Sequence, residues 1–65
     1  MSHSVKLIVD AYVSLKDRKA IEDLREHRKM LRKKLQASNG IDVSSSIQLI
    51  ESDLIEIEAG LVRLQ

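Results

Sequence analysis

Residues 47–64 read IQLIESDLIEIEAGLVRL, and apolar side chains recur in this stretch at alternating spacings of three and four residues. That alternation is typical of a helix whose apolar seam packs lengthwise against a partner helix. The seam residues are Ile47, Ile50, Leu54, Ile57, Leu61 and Leu64. The stretch therefore predicts a long amphipathic helix that has at least one helical partner.

A second seam with the same spacing precedes it in the chain. Its members are Ile21, Leu24, Arg28, Leu31 and Leu35. A reversal at Ser38-Asn39-Gly40 would place Leu35 opposite Ile47 and Ile21 opposite Leu61. The two seams together predict an antiparallel helical hairpin over about 18–38 and 44–64.

Residues suited to helix ends flank the predicted turn. Gly40 can adopt the left-handed conformation that ends many helices, and Ile41 is placed to pack back on Leu35. The next helix is expected to begin within residues 42–46. Ser45 followed by Gln48 has the form of a capping box, and Ser44 and Asp42 are rival caps.

The N-terminal segment has its own apolar stripe at helical spacing, which predicts a short helix over about 4–15. The stripe consists of Val5, Ile8, Val9, Tyr12 and Leu15. It would face away from the second seam if the first two helices were continuous. Either the chain bends near Ser14–Asp17, with Asp17 capping a restart at Arg18, or the stripe serves a different partner.

The C-terminal helix carries more apolar surface than one hairpin partner can cover. Ile55, Ala59 and Val62 form a second stripe beside its seam. Either the first helix folds back onto this stripe, or a second copy of the chain covers it. The small size of the chain favours the second copy. The predicted fold is all-α, a single helical domain over residues 1–65 that dimerises into a helical bundle.

Composition restricts the classes of function. The chain has 65 residues, no cysteine and one aromatic residue, Tyr12. It therefore has no disulfide, no thiolate metal site and no aromatic platform for bases. Lys6 and Asp10 interrupt the N-terminal apolar run, which is too short to span a membrane. A cytoplasmic location is expected.

Charge is divided between the two arms of the hairpin. Residues 16–34 hold nine of the eleven Lys and Arg, whereas residues 42–65 hold five acids and one Arg. The antiparallel register predicts three complementary pairs: Arg25 with Glu58, Arg32 with Glu51, and His27 with Asp53. Such pairs favour one orientation and register. Arg28, the one polar seam residue, is expected to reach Asp53 or a carboxylate of a second chain.

The sequence predicts a non-enzymatic protein-association module, with no cofactor and no metal, that forms a homodimer or binds another protein. It carries no phosphate-binding loop and no catalytic triad, and His27 with Asp23 is too small a metal set. The candidate interface residues are Val5, Ile8, Val9, Tyr12, Arg28, Ile55 and Val62.

Two alternatives remain open at this point. The basic helix could bind RNA or DNA through Lys29, Lys33 and Lys34, because cations on successive turns can follow a phosphate backbone. The chain could also be a small structural subunit of a larger assembly, including a phage structure. In architecture the predicted hairpin resembles small proteins whose helical hairpins dimerise into four-helix bundles.

Overall fold

A computed structural model describes residues 3–38 and 42–65, and this part of the chain forms three α-helices. They are α1, His3–Ser14; α2, Arg18–Gln36; and α3, Ser44–Arg63. The all-helical fold and the hairpin of α2 and α3 are confirmed. The predicted cap at Gly40 and the contact of Ile41 with Leu35 lie outside the described residues.

The chain bends between α1 and α2, as one of the two alternatives predicted. The N–H of Asp17 donates to the carbonyl of Tyr12 at 2.9 Å, and the N–H of Lys16 donates to the carbonyl of Val13 at 3.0 Å. This pair of bonds is the Schellman motif, and it requires Lys16 to be left-handed, with φ of 57°. Asp17 Oδ1 then accepts the N–H of Ala20 at 3.1 Å and caps α2.

Lys16 carries a conformational cost that glycine would not. A side chain in the left-handed region costs about 1–2 kcal/mol per residue. Lys16→Gly is therefore expected to raise the free energy of unfolding by about 0.5–1 kcal/mol, measured by urea denaturation. The control Lys29→Gly lies in the middle of α2 and should lower it by about 1 kcal/mol. A Lys16→Gly variant that is less stable than the parent would contradict this account of the turn.

All three helices contribute to one core near the C-terminal end of α3. Its buried members are Val5, Val9, Ile21, Ile57 and Leu61, and Tyr12, Val13, Leu24 and Leu64 pack against them. This cluster confirms that the seams of α2 and α3 face each other here. It also shows that α1 is an integral part of the fold.

Gly60 allows α1 to approach α3 closely. A Cβ atom at this position would collide with Val9 Cγ1 and would lie 3.6 Å from Val13 Cγ2. Because glycine has no side chain, the valines of α1 can pack directly on the α3 backbone. Gly60, an unfavourable residue for a helix interior, is therefore explained by helix packing.

Helix α3 begins at Ser44, within the predicted range 42–46, but its capping differs from the prediction. Val43 occupies the N-cap position and makes no side-chain capping bond, so the capping box of Ser45 and Gln48 is wrong. Asp42 Oδ1 instead accepts the Ser44 hydroxyl at 2.6 Å and the Ser44 N–H at 3.1 Å. An aspartate closes such a turn easily because its carboxylate reaches the backbone two residues ahead. These hydrogen bonds lower the pKa of the Asp42 carboxyl.

Candidate association surface

The outer face of α3 carries an exposed apolar stripe, the α3 ridge, which consists of Ile55, Ala59 and Val62. The side chains recur at spacings of four and three and so share one face of the helix. Ile55 is 71% exposed and Val62 63% exposed. Of the two alternatives for covering this stripe, the folding back of α1 is wrong, because α1 packs on the flank marked by Gly60 and leaves Ile55 and Val62 exposed.

A groove of about 450 Å³ lies beside the ridge, between α2 and α3. Its lining residues are Arg32, Glu51, Leu54, Ile55 and Glu58. Leu54 is buried and gives the groove an apolar element, while the charged residues come from both helices. Arg32 and Glu51 both line the groove, but among the described residues neither forms an ion pair within 4.0 Å.

One predicted cross-hairpin pair is confirmed at the groove. Arg25 Nη1 donates to Glu58 Oε1 at 3.3 Å. Arg25 Nε is buried and has no hydrogen-bond partner within the described chain, and it lies 3.7 Å from Glu26 Oε2. The pair fixes the register of α2 against α3 but leaves part of the guanidinium unsatisfied.

Arg28 contacts Asp53, which is the first of the two partners that the sequence predicted for it. Its Nε donates to Asp53 Oδ2 at 3.3 Å, and its Nη1 donates to His27 Nδ1 at 2.7 Å. The prediction that His27 pairs with Asp53 is wrong, because the seam position and longer reach of Arg28 bring its guanidinium to the carboxylate first. Arg28, an interface candidate from the sequence, is thus engaged inside its own chain.

The pair of Arg28 and Asp53 is mostly shielded from water, with side chains 20% and 15% exposed. Asp53→Ala would leave the cation unpaired and is expected to lower the free energy of unfolding by about 1–3 kcal/mol. The double variant Arg28→Leu, Asp53→Ala removes both charges and should recover most of that loss. Urea denaturation of the parent, both single variants and the double variant checks this. Additive effects would contradict a coupled pair.

The α1 residues predicted to form an interface divide into two groups. Val5 and Val9 are buried in the core of their own chain, and Tyr12 is half-buried against it, so burial removes the valines from the accessible surface. Ile8 remains exposed. It belongs to an outer face of α1 with Leu15, which the predicted stripe also contained, and with Leu7, which the stripe lacked.

The outer face of α1 could have been predicted from the spacing of its apolar residues. Leu7, Ala11 and Leu15 recur every four residues, which places them together on a helix. The β-branched residues of the inner stripe were the stronger signal, and Leu7 was missed. All three side chains are exposed.

An ion pair that was not predicted from the sequence joins α1 to α3. Arg63 Nη1 donates to Asp10 Oδ1 at 2.7 Å, and Lys6 Nζ donates to Asp10 Oδ2 at 3.3 Å. Hydrogen bonds from Arg63 and then Lys6 lower the pKa of the Asp10 carboxyl. Lys6 and Asp10 are one helical turn apart on α1, whereas Arg63 is 53 residues from Asp10, and only the docking of α1 on α3 brings Arg63 to them.

The nucleic-acid candidates Lys29, Lys33 and Lys34 are all exposed on α2. Lys29 and Lys33 are one turn apart and share a face, whereas Lys34 points about 100° away from Lys33. Within residues 3–38 and 42–65 none of the three lies in an ion pair. The structure therefore brings two of the three together.

The described residues lack two further features. No three His, Cys, Asp or Glu side chains in this part of the chain are grouped as a metal site requires. No described helix combines the length and apolar character needed to cross a membrane. Comparison with protein families, with curated proteins and with solved structures finds no match to this chain.

Proposed function

We propose that this chain is a non-enzymatic association module that binds protein, with a second copy of itself as the principal partner. One observation carries the proposal: the exposed α3 ridge stands beside an open groove whose charged walls come from both arms of the hairpin. Isolated apolar residues are common on protein surfaces, but an apolar stripe beside a groove is typical of interaction sites.

The exposed area supports association. A compact monomer of 7.4 kDa has an accessible surface of about 4,200 Å² by the usual scaling with mass, and this chain exposes 4693 Å². The excess agrees with principal extents of 42 × 19 × 14 Å. A small chain with surplus surface gains stability by burying part of it against a partner.

Neither of the two carboxyl groups with a shifted pKa has the properties of a catalytic acid or base. Catalytic acids and bases are typically buried in clefts that shift their pKa toward the working pH. Here the pKa of Asp10 and that of Asp42 are both lowered, by surface hydrogen bonds to Arg63 and Ser44. Both changes hold the carboxylates ionised, which suits structural contacts.

Equilibrium sedimentation over a range from low micromolar to several hundred micromolar protein tests the proposal. The parent chain is expected to reach the mass of two copies at the upper end of this range. The control Met30→Lys replaces an exposed apolar residue of α2 and should leave the association unchanged. A parent chain that stays at the mass of one copy throughout would contradict self-association as the principal mode.

A second experiment tests the alternative function, nucleic-acid binding. Lys29 and Lys33 offer two adjacent cations, and binding through them would fall steeply with salt. In a gel mobility-shift assay at low and moderate salt, the parent chain should cause no salt-sensitive retardation of fluorescent single-stranded or double-stranded RNA and DNA oligonucleotides. Retardation that is lost in Lys29→Glu, Lys33→Glu would overturn the proposal in favour of nucleic-acid binding.

A further inference from the structure

We infer that the groove between α2 and α3 receives α3 of a second copy, antiparallel to the first, with Ile55 on the two-fold axis. This inference rests on the proposed self-association and specifies its surface and register. Ile55 belongs both to the groove lining and to the α3 ridge, so one side chain can be at once the inserting group and part of the receiving wall. An isologous interface has this self-complementary property.

Charge selects the register. Glu51 lies four residues before Ile55 and Glu58 three residues after it, so a two-fold rotation about Ile55 brings Glu51 of one copy level with Glu58 of the other. Arg32 lines the groove with Glu51, and Arg25 is paired with Glu58 at 3.3 Å. Each end of the shared groove would then hold two carboxylates and two guanidinium groups, contributed equally by the copies.

This arrangement provides partners for groups that lack them within one chain. Arg32 and Glu51 form no ion pair within the described residues, although both face the groove. In the dimer Arg32 would lie between Glu51 of its own chain and Glu58 of the second copy. Complementary charges of this kind fix register and orientation at an interface more than they add affinity.

The apolar contribution comes from the middle of the same surface. Ile55 of each copy would pack on Ile55 and Leu54 of the other, and the charged groups would flank this contact on both sides. Burial of an isoleucine that is 71% exposed supplies the favourable free energy. An apolar centre with a polar rim is the usual anatomy of a protein interface.

Site-specific disulfide formation tests the register, because the parent chain contains no cysteine. Ile55→Cys places two thiols across the two-fold axis and is expected to form covalent dimers on mild oxidation. Val62→Cys lies on the same ridge, but seven residues from the axis its two copies would be separated by about 21 Å along the helices. At equal protein concentration we expect at least tenfold more covalent dimer from Ile55→Cys than from Val62→Cys.

The outcomes separate this inference from the proposed function. A parent chain that sediments as a dimer, with Val62→Cys or Met30→Cys cross-linking more efficiently than Ile55→Cys, would overturn the register and leave self-association intact. A parent chain that is monomeric would overturn both.

A charge variant provides an independent readout that does not need a thiol. Arg32→Glu adds a third carboxylate to each cluster, and the dimer dissociation constant is expected to rise at least tenfold. The control Lys34→Glu makes the same change of charge on α2 away from the groove lining. Its dissociation constant should change less than threefold. Equal effects of the two substitutions would overturn the docking of α3 in this groove.

Discussion

Ile57→Ala is expected to destabilise the fold strongly. Ile57 is 0% exposed and belongs to the core cluster to which all three helices contribute. Truncation of a buried isoleucine to alanine costs about 2–5 kcal/mol, because transfer energy is lost and a cavity remains. A domain of this length has a total stability of roughly 3–10 kcal/mol, so about half of it would be removed.

Circular dichroism with thermal and urea denaturation measures this effect. Ile57→Val removes one methyl group and should cost about 1 kcal/mol. The control Leu7→Ala shortens a side chain that is 67% exposed on α1, and it should cost less than Ile57→Val. An Ile57→Ala variant that unfolds cooperatively with nearly the parent stability would show that α1, α2 and α3 do not share this core.

Gly60→Leu is expected to separate α1 from α3. The new Cβ would collide with Val9 Cγ1, and the rest of the leucine side chain has no space under α1. Overpacking of a core costs about 1–3 kcal/mol and occasionally more. We expect α1 to lose its fixed position while the hairpin of α2 and α3 stays helical, which NMR amide exchange would resolve by helix.

A compensating substitution identifies the colliding atom. Gly60→Ala should be destabilising despite the better helix propensity of alanine. Val9→Ala removes the Cγ1 atom that meets the new side chain, so the double variant should be more stable than the sum of the single effects predicts. Additive effects would indicate that Val9 and Gly60 are not in contact. Gln48→Leu, at an exposed position of α3, controls for added bulk.

The hairpin could be predicted from the sequence because its signals reinforce each other. Two seams at the same spacing and a turn-forming Asn39-Gly40 between them all indicated one antiparallel pairing. The ion pair of Arg25 with Glu58 agrees with the register that the seams predicted. Apolar spacing is dictated by helix geometry and therefore remains visible in a single sequence.

The position of α1 could not be predicted, because it depends on shape rather than on spacing. Lys16 is not a residue that indicates a left-handed helix end, and glycine at position 60 looks like a weak point until Val9 is seen against it. The sequence correctly indicated an apolar stripe on α1. Which of its residues would be buried depended on the side of α3 against which α1 packs.

The details of the charged residues were predictable only in part. Opposite charges on the two arms indicated pairing, and the expected contact of Arg28 with Asp53 is confirmed. The pair of His27 with Asp53 did not form, because the reach of each side chain decided which cation contacts the carboxylate. At the start of α3, Asp42, Ser44 and Ser45 were chemically similar candidates. Backbone geometry, which the sequence does not specify, selected Asp42 as the hydrogen-bond acceptor.

The central claim is that copies associate through the α3 ridge, because α1 is already packed within its own chain. Sedimentation velocity of Ile55→Lys and Ile8→Lys at the same concentration tests this directly, since both substitutions place one lysine on an exposed apolar helix face. The account predicts that Ile55→Lys sediments as a monomer and Ile8→Lys as a dimer like the parent. A dimeric Ile55→Lys together with a monomeric Ile8→Lys would contradict it.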